Sequence, residues 1–243
     1  MQPTMRPIDQ ILAENGGRFG VIHGVKGGFK LYFDNWRVWI PVSFGLWLLG
    51  LTWVVMMAIS IFKFFEDQPA LIAGDYGEFS SWDIWLSSPI LPAQLLLGGV
   101  VAILIQPFLY NLAYHTLMKE RVSWSDLSSG ISYGRVLLAV FIYMLITSVV
   151  SLVPYVSMLL ALAVSPFIVL LAFAAVEGRS LMTAVNLGKQ YYLPLLGLAI
   201  ISSLLGFAGM LVFPLLFVGI SVTAVIYGMA RHEEEYAVRA MEI

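Results

Sequence analysis

Long apolar runs separated by short polar segments dominate the chain. An α-helix needs about 20 apolar residues to cross the hydrocarbon core of a bilayer. Val38–Phe62 and Ile84–Met118 contain no Asp, Glu, Lys or Arg, and each predicts one such helix. The runs Val136–Val176 and Tyr191–Ala230 are about twice as long as one crossing requires. Each of these two runs must therefore fold back and supply two helices.

Two breaks divide the longer runs. Pro154 interrupts the first, because proline removes a helical hydrogen bond and clashes with the preceding turn. Gly206-Phe-Ala-Gly209, with Pro214 beyond it, breaks the second. The pattern predicts an all-α integral membrane protein with six transmembrane helices, at 39–62, 91–115, 136–153, 156–176, 192–209 and 211–230. The runs lack the polar alternation of a membrane β-barrel.

Basic residues predict the orientation of this bundle. Twelve of the 13 Lys and Arg residues fall on one side of the predicted helices, and only Lys63 falls on the other. The positive-inside rule assigns the basic side to the cytoplasm, so both termini are expected there. The predicted regions are a cytoplasmic N-terminal segment (1–37), a six-span bundle (38–230), an acidic extracytoplasmic loop (63–90) and a cytoplasmic tail (231–243). The loop is interpreted as solvated, with a calcium site or a docking surface as alternatives.

An amphipathic helix is predicted just before the first span. Its apolar positions recur at helical spacing and comprise Ile22, Val25, Phe29, Tyr32, Phe33 and Trp36. Its charged positions fall on another face and comprise Lys26, Lys30, Asp34 and Arg37. A helix that is aromatic on one side and cationic on the other is typical of the membrane interface.

Similar helices are predicted before the third and fifth spans. Ser123 and Asp126 have the spacing of a capping box, and Ser180 can cap the second of these helices. A shift of 58 residues superposes Leu127 on Val185 and Gly130 on Gly188. A surface helix followed by a two-span hairpin would then recur three times, as a parallel pseudo-repeat.

Composition agrees with a bilayer as the solvent of this protein. The chain is 60% hydrophobic and 12% charged, whereas soluble domains are about 25% charged. The net charge of −2 gives no sign of a nucleic-acid partner, and the absence of cysteine excludes thiol catalysis and cysteine metal sites. No motif predicts a cofactor. The predicted partners are the lipid bilayer and a membrane protein, including a second copy of the chain.

Residues 115–230 resemble a known bacterial superfamily. The resemblance rests on Arg121-Val-Ser-Trp-Ser-Asp-Leu127, on Phe173-Ala-Ala-Val-Glu-Gly-Arg-Ser180 and on Tyr191-Tyr-Leu-Pro194. These stretches are similar to motifs in the membrane domains attached to some glycerophosphoryl diester phosphodiesterases and in several related six-span families. The resemblance implies the fold, and a place in the bacterial cytoplasmic membrane. It implies no activity, because the soluble barrel that carries catalysis in that enzyme has no counterpart here.

Polar residues of the second span form a candidate lining for the bundle. They are spaced at helical intervals and comprise Gln106, Tyr110, Asn111, Tyr114 and His115. The alternative is hydrogen bonding between helices, which satisfies polar groups in lipid. Candidate contacts for a lipid head group or a protein partner are Lys26, Lys30, Arg37, Glu177, Arg179 and Lys189. For the last three, capping and snorkelling at the membrane surface are the alternative.

A protease-like motif occurs in the C-terminal tail. Glu234-Glu235-Tyr-Ala-Val-Arg239 matches the EExxxR motif of intramembrane CAAX-type proteases, and Phe19-Gly-Val-Ile-His23 matches their FxxxH motif. The order of the two motifs is reversed here, and the glutamates lie in the predicted tail. The motif is therefore interpreted as a solvated helix extension, with Glu235 paired to Arg239.

The predicted spans carry no Asp, Glu, Lys or Arg in their middle parts. Ion-coupled pumps need such groups within the membrane, so the sequence disfavours coupled transport. The leading prediction is a non-enzymatic membrane protein that acts as an accessory or scaffold subunit or in envelope homeostasis. The alternative is a binder or uncoupled transporter of lipid or another amphiphile. The third hypothesis is an intramembrane hydrolase.

Overall fold

The computed structural model describes residues 6–66, 90–152, 157–212 and 215–241. It is 85% helical, and the described residues contain no strand, so the all-α prediction is confirmed. The helices are α1 (Pro7–Glu14), α2 (Val21–Asp34), α3 (Trp36–Glu66), α4 (Ile90–Met118), α5 (Tyr133–Ser151), α6 (Ser157–Ile168), α7 (Leu171–Val176), α8 (Leu181–Gln190), α9 (Tyr192–Leu211) and α10 (Val218–Met241). A turn of 3-10 helix occupies Trp124–Leu127.

Four helical stretches are long and apolar enough to cross a membrane. They are Trp36–Lys63, Leu96–Met118, Tyr133–Val150 and Leu159–Val176. The fourth stretch is interrupted, because α6 ends at Ile168 and α7 begins at Leu171. A shorter apolar stretch, Tyr192–Leu205, lies in α9. These stretches indicate a multi-pass membrane protein.

Two predicted boundaries are wrong at the C-terminal end. Helix α9 continues through Gly206-Phe-Ala-Gly209 and ends at Leu211. The next helix begins at Val218, and not at 211 as the sequence predicts. Helix α10 then runs on to Met241, so the predicted tail (231–243) is largely a continuation of this helix. The predicted break at Pro154 and positions 67–89 of the predicted outer loop (63–90) lie outside the described residues.

The predicted surface helices differ from one another in length. Ser123 and Asp126 form the predicted capping box, but the helix that they begin is a single 3-10 turn. Ser180 caps α8, which has 10 residues, and its hydroxyl accepts a hydrogen bond from the backbone N–H of Met182. The two glycines superposed by the repeat also differ. Gly130 has a φ of 67° in a turn, whereas Gly188 lies inside α8.

Helix α10 forms the centre of the larger of two compact units. This unit comprises residues 1–44 and 105–243, and the smaller unit comprises residues 45–104. Every residue from Ser221 to Ala230 is buried, which agrees with the largely apolar sequence of the helix in this part. Helices α1, α2 and α9 pack against it.

Helices α9 and α10 form an antiparallel hairpin. Tyr191, just before α9, donates a hydrogen bond to Glu233 near the C-terminal part of α10. The hydroxyl oxygens of Ser202 and Thr223 lie 3.4 Å apart, midway along the two helices. A Cβ at Gly209 would lie 2.5 Å from the Cα of Leu216, near the turn.

Candidate functional site

Helix α2 packs against α10 through a face of glycines. Gly24, Gly27, Gly28 and Leu31 are buried on this face, which we call the glycine face. A Cβ added at Gly28 would lie 2.5 Å from the Cα of Val222, so only glycine permits this approach. The hydroxyl of Ser221 donates a 3.0 Å hydrogen bond to the carbonyl oxygen of Gly28. The sequence contains the signal for this contact, since small residues four apart are typical of close helix packing.

Two exposed faces remain on α2. The first, which we call the aromatic face, comprises Ile22, Phe29, Phe33 and the adjoining Trp36. Ile22 is 70% exposed, Phe33 is 42% exposed and Trp36 is 52% exposed. At 3.6 residues per turn this face is centred about 160° from the glycine face. The predicted apolar stripe is therefore present in part, but Tyr32 leaves it and is buried in the protein.

The third face of α2 carries the charges. Lys26 and Lys30 on this helix and Arg37 at the start of α3 are exposed, and we call these three residues the cationic face. Lys30 lies 3.8 Å from the carboxylate of Glu14, and both side chains are exposed to solvent. Exposed pairs of this kind contribute little to stability, so Lys30 remains available to anions. Helix α2 thus has three faces, where the sequence predicts two.

A small pocket lies where α2 meets α3. Its volume is about 210 Å³, and its lining consists of Asp34, Asn35, Trp36, Arg37, Arg121 and Val122. Asn35 is buried and forms hydrogen bonds to residues on both sides of the pocket. Its side-chain amide donates a 3.0 Å hydrogen bond to the Leu31 carbonyl, and its Oδ1 accepts a 2.9 Å bond from the N–H of Val122. Asn35 therefore ties the α2–α3 junction to the segment after α4.

Two residues of the predicted polar lining contact backbone oxygens of the segment after α4. Asn111 is buried, and its amide donates hydrogen bonds to the carbonyl oxygens of Asp126 at 2.8 Å and Ser129 at 3.1 Å. The His115 Nε2 lies 3.2 Å from the same Ser129 oxygen. Both side chains thus hold the 3-10 turn, which supports the alternative of hydrogen bonding within the protein, and the lining stays a prediction.

The other three lining candidates do not converge on one site. Tyr110 packs edge-on against Phe173, with ring centroids 5.1 Å apart. Tyr114 makes an edge contact with His115, with ring centroids 6.4 Å apart. Gln106 is half-buried. Packing explains the two tyrosines without a substrate path.

Asp126 is the buried acid of the 3-10 turn. Its carboxylate forms an ion pair with Lys119 and accepts a 2.8 Å hydrogen bond from the N–H of Ser123. Burial of Asp126 raises its pKa, but the hydrogen bonds from Lys119 and Ser123 together lower the pKa by more than burial raises it. The resulting pKa is about 2. The side chain is therefore ionised at neutral pH, and it stabilises the turn.

Glu177 forms a second buried ionic cluster. Its side chain is 10% exposed, and its carboxylate lies 3.7 Å from both Arg179 and Arg231. The hydroxyl of Tyr227 donates a hydrogen bond to the same carboxylate. Glu177 thus joins the end of α7 to α10, whereas Arg179 is exposed, and the head-group contacts stay a prediction. Lys189 is exposed on α8.

The protease-like motifs gain no support from the fold. His23 is exposed on α2, and Glu234 and Glu235 lie within α10, with side chains outside the described set. Among the described residues, no group of three or more His, Asp or Glu side chains is placed to hold a metal ion.

Comparison with known proteins identifies no relative. No protein-family model matches the chain, no curated protein matches it significantly, and no solved structure does. The resemblance to the bacterial six-span superfamily stays a prediction.

Proposed function

We propose that this chain is a non-enzymatic, multi-pass membrane protein that acts as an accessory or scaffold subunit. In this proposal helix α2 is the element that engages the cytoplasmic surface of the bilayer. A role in envelope homeostasis falls within the same proposal. The bacterial cytoplasmic membrane, with both termini in the cytoplasm, is the proposed location.

The three-faced surface of α2 carries the proposal. Its glycine face is fixed to α10, so the helix cannot turn to hide its other two faces. The aromatic face is exposed beside the cationic face, and this combination suits the boundary between acyl chains and anionic head groups. Tryptophan is enriched at that boundary, and Trp36 lies at the start of the first candidate span.

The location of α2 bears on how many times the chain crosses the membrane. Gly24 packs against Ile226 and Gly28 against Val222, so α2 runs alongside the first half of α10. Lys26 and Lys30 on α2 cannot lie in hydrocarbon without a large cost. We therefore propose four full crossings, with the α9–α10 hairpin at the depth of the interface, in place of the six crossings that the sequence predicts.

The orientation of the termini does not depend on that choice. Four crossings return the chain to its starting side, and an antiparallel hairpin does so again whether or not it crosses. The distribution of Lys and Arg supports the cytoplasm as this side.

The buried acids support a non-enzymatic role. Asp126 is paired with Lys119, and Glu177 is paired with Arg179 and Arg231. Each carboxylate joins separate segments of the chain, so a structural role accounts for its burial.

The second function, a binder of lipid, is favoured by one observation, the pocket at the α2–α3 junction.

Single cysteines test the location of α2. The natural chain has no cysteine, so an introduced thiol is the only one present. We expect a nitroxide at Phe33→Cys in liposomes to be quenched by oxygen, and one at Lys30→Cys, on the same helix, by an aqueous nickel complex. Equal aqueous access at both positions would contradict the proposal.

A further cysteine tests the hairpin. Val212 follows α9 and is exposed, so Val212→Cys reports the depth of the turn. We expect it to resist a membrane-impermeant maleimide added from outside intact cells. Rapid labelling from outside would restore six crossings.

A further inference from the structure

We propose that the pocket at the α2–α3 junction binds the head group of a phospholipid, with ethanolamine as the preferred terminal group. We call this the junction pocket. The proposal rests on the interfacial position of α2 proposed above and adds the chemistry of the ligand. It assigns the phosphate to Arg37 and Arg121, the ammonium group to Asp34, and the acyl chains to the bilayer beside Trp36.

The position of the junction pocket suits a head group. Trp36 and Arg37 begin the first candidate span, Trp36–Lys63, and Arg121 follows the end of the second, Leu96–Met118, by three residues. The start of one span and the end of the next lie on the same side of a membrane. The pocket and its two arginines therefore lie at the level where phosphates of one leaflet are found.

The arginines of the junction pocket are available to an anion. Among the described residues, neither Arg37 nor Arg121 has a carboxylate within 4.0 Å, since all the ion pairs are formed by other basic residues. The guanidinium of Arg37 lies 5.9 Å from the centre of the Trp36 ring, which orients it. Two planar guanidinium groups on one small pocket match the oxygens of a phosphodiester.

Asp34 makes the junction pocket selective. Asp34 is exposed and lines the pocket, and no described cation lies within ion-pair distance of its carboxylate. A phosphate with a second negative group would be repelled by this carboxylate. A phosphate that carries an ammonium group places opposite charges against both the arginines and Asp34. Choline fits less well, because its methylated nitrogen has no N–H to donate.

The size and rigidity of the junction pocket also suit a lipid head group. Sites for drug-sized ligands occupy roughly 300–1,000 Å³, and the volume of about 210 Å³ suits a head group without its acyl chains. Asn35 holds the two walls together through its bonds to Leu31 and Val122. Little reorganisation is then needed when a ligand binds.

Native mass spectrometry of the full chain in mild detergent measures this binding. Phosphatidylethanolamine, phosphatidylglycerol and phosphatidylcholine are added in turn. We expect phosphatidylethanolamine to bind most tightly, and Arg121→Gln to weaken it by about tenfold, as for loss of one charged contact. Arg18→Gln, an exposed arginine outside the pocket, is the matched control and should leave binding unchanged.

Asp34→Asn tests the assignment of the ammonium group. We expect this variant to lose the preference for phosphatidylethanolamine over phosphatidylglycerol while its affinity for phosphatidylglycerol is kept or raised. An unchanged preference would overturn the assignment. The site itself is overturned if the natural chain binds all three lipids equally. It is also overturned if Arg121→Gln binds phosphatidylethanolamine as tightly as the natural chain does.

Two further arms separate the alternatives. Phosphoethanolamine and inorganic phosphate are added as competitors, and displacement of the lipid at equal concentration would identify a soluble phosphate as the ligand and overturn the lipid assignment. Thermal unfolding of Arg121→Gln should match the natural chain, since this side chain is exposed. If lipid selectivity fails while Phe33→Cys still reports a lipid environment, only the junction pocket is rejected. If both fail, the proposed function fails too.

Discussion

The two compact units of the chain bury their side chains to very different degrees. In the larger unit (1–44 and 105–243), α10 is enclosed by neighbouring helices, and the buried side chains of Asn35, Asn111 and Asp126 are hydrogen-bonded within the protein. In the smaller unit (45–104), none of the described residues is buried. Its exposed apolar side chains include Leu48, Leu49, Leu51, Val54, Val55, Met56, Ile59, Leu96, Leu97 and Val100.

The two units therefore find their packing partners in different places. The helices of the larger unit pack against one another. Glycines allow a second helix to approach closely, and buried acids join separate segments of the chain. In the smaller unit, two described side-chain donors bond to carbonyl oxygens of the same unit, an arrangement that lipid favours. Thr52 donates a 2.8 Å hydrogen bond to the Leu48 carbonyl, and the indole N–H of Trp53 donates a 3.2 Å bond to the Gln94 carbonyl. Its apolar surface is left for the bilayer.

The largest expected effect comes from a methyl group at Gly28. Gly28→Ala forces the backbone of α2 away from Val222, whose Cα would lie 2.5 Å from the new Cβ. We expect a loss of about 3 kcal/mol in the free energy of unfolding, at the upper end for overpacking. Thermal unfolding in mild detergent measures the change.

Gly50→Ala is the matched control in the smaller unit. Nothing lies within 4 Å of a Cβ at Gly50, and alanine favours the helix by about 1 kcal/mol. We expect Gly50→Ala to be neutral or stabilising. If both variants lose the same stability, the contrast between the two units is wrong.

A smaller effect is expected from Asp126→Asn. The amide cannot form the ion pair with Lys119, and we expect a loss of about 2 kcal/mol at neutral pH. Because the folded-state pKa of Asp126 is depressed to about 2, its contribution is full above the ordinary pKa of 3.8 and is lost as the pH falls towards 2. The unfolding midpoints of the natural chain and Asp126→Asn should converge over this acidic range.

Asp34→Asn serves as the control for the acidic range, because Asp34 is exposed and unpaired among the described residues. Its unfolding midpoint should follow that of the natural chain at each pH. A constant gap between Asp126→Asn and the natural chain down to pH about 2 would contradict the role of the Asp126 charge.

Much of the fold follows from apolar runs, and most errors arise where tertiary contact overrides them. The helices at Trp36–Glu66 and Ile90–Met118 match their predicted spans closely, since twenty apolar residues have few alternatives. The break at Gly206–Gly209 is wrong because Gly209 is needed inside α9, where it lies against Leu216. Glycine in this case marks close packing, and not the end of a helix.

The candidate site was predictable in its charges but not in its geometry. Lys26, Lys30 and Arg37 lie on an exposed face, as their spacing predicts. The pocket needs Arg121, which is 84 residues beyond Arg37, and no local pattern links the two. A polar residue such as Asn111 in an apolar run has the same signature whether it lines a path or bonds to a neighbouring loop, so the sequence could not choose between these two interpretations.

A modest effect is expected from Trp53→Phe in the smaller unit. Phenylalanine keeps most of the ring but removes the N–H that bonds to the Gln94 carbonyl, which joins α3 to α4. We expect a loss of about 1 kcal/mol, the net value of one hydrogen bond. Trp124→Phe, at a site that is 55% exposed, should change the unfolding midpoint little. Equal losses in the two variants would show that the hydrogen bond contributes nothing specific.

The smallest expected effect is at Leu49, on the exposed surface of α3. Leu49 is 50% exposed, so Leu49→Ala exchanges one apolar contact with lipid or detergent for a smaller one and leaves no cavity in the protein. We expect a change within about 0.5 kcal/mol. Leu112→Ala in α4 is the counterpart in the larger unit, where the side chain is fully buried and truncation costs about 2–5 kcal/mol. A large loss at Leu49 would mean that a protein surface, such as a partner subunit or a second copy, covers this face in place of lipid, and the natural chain should then sediment in detergent as a complex that Leu49→Ala dissociates.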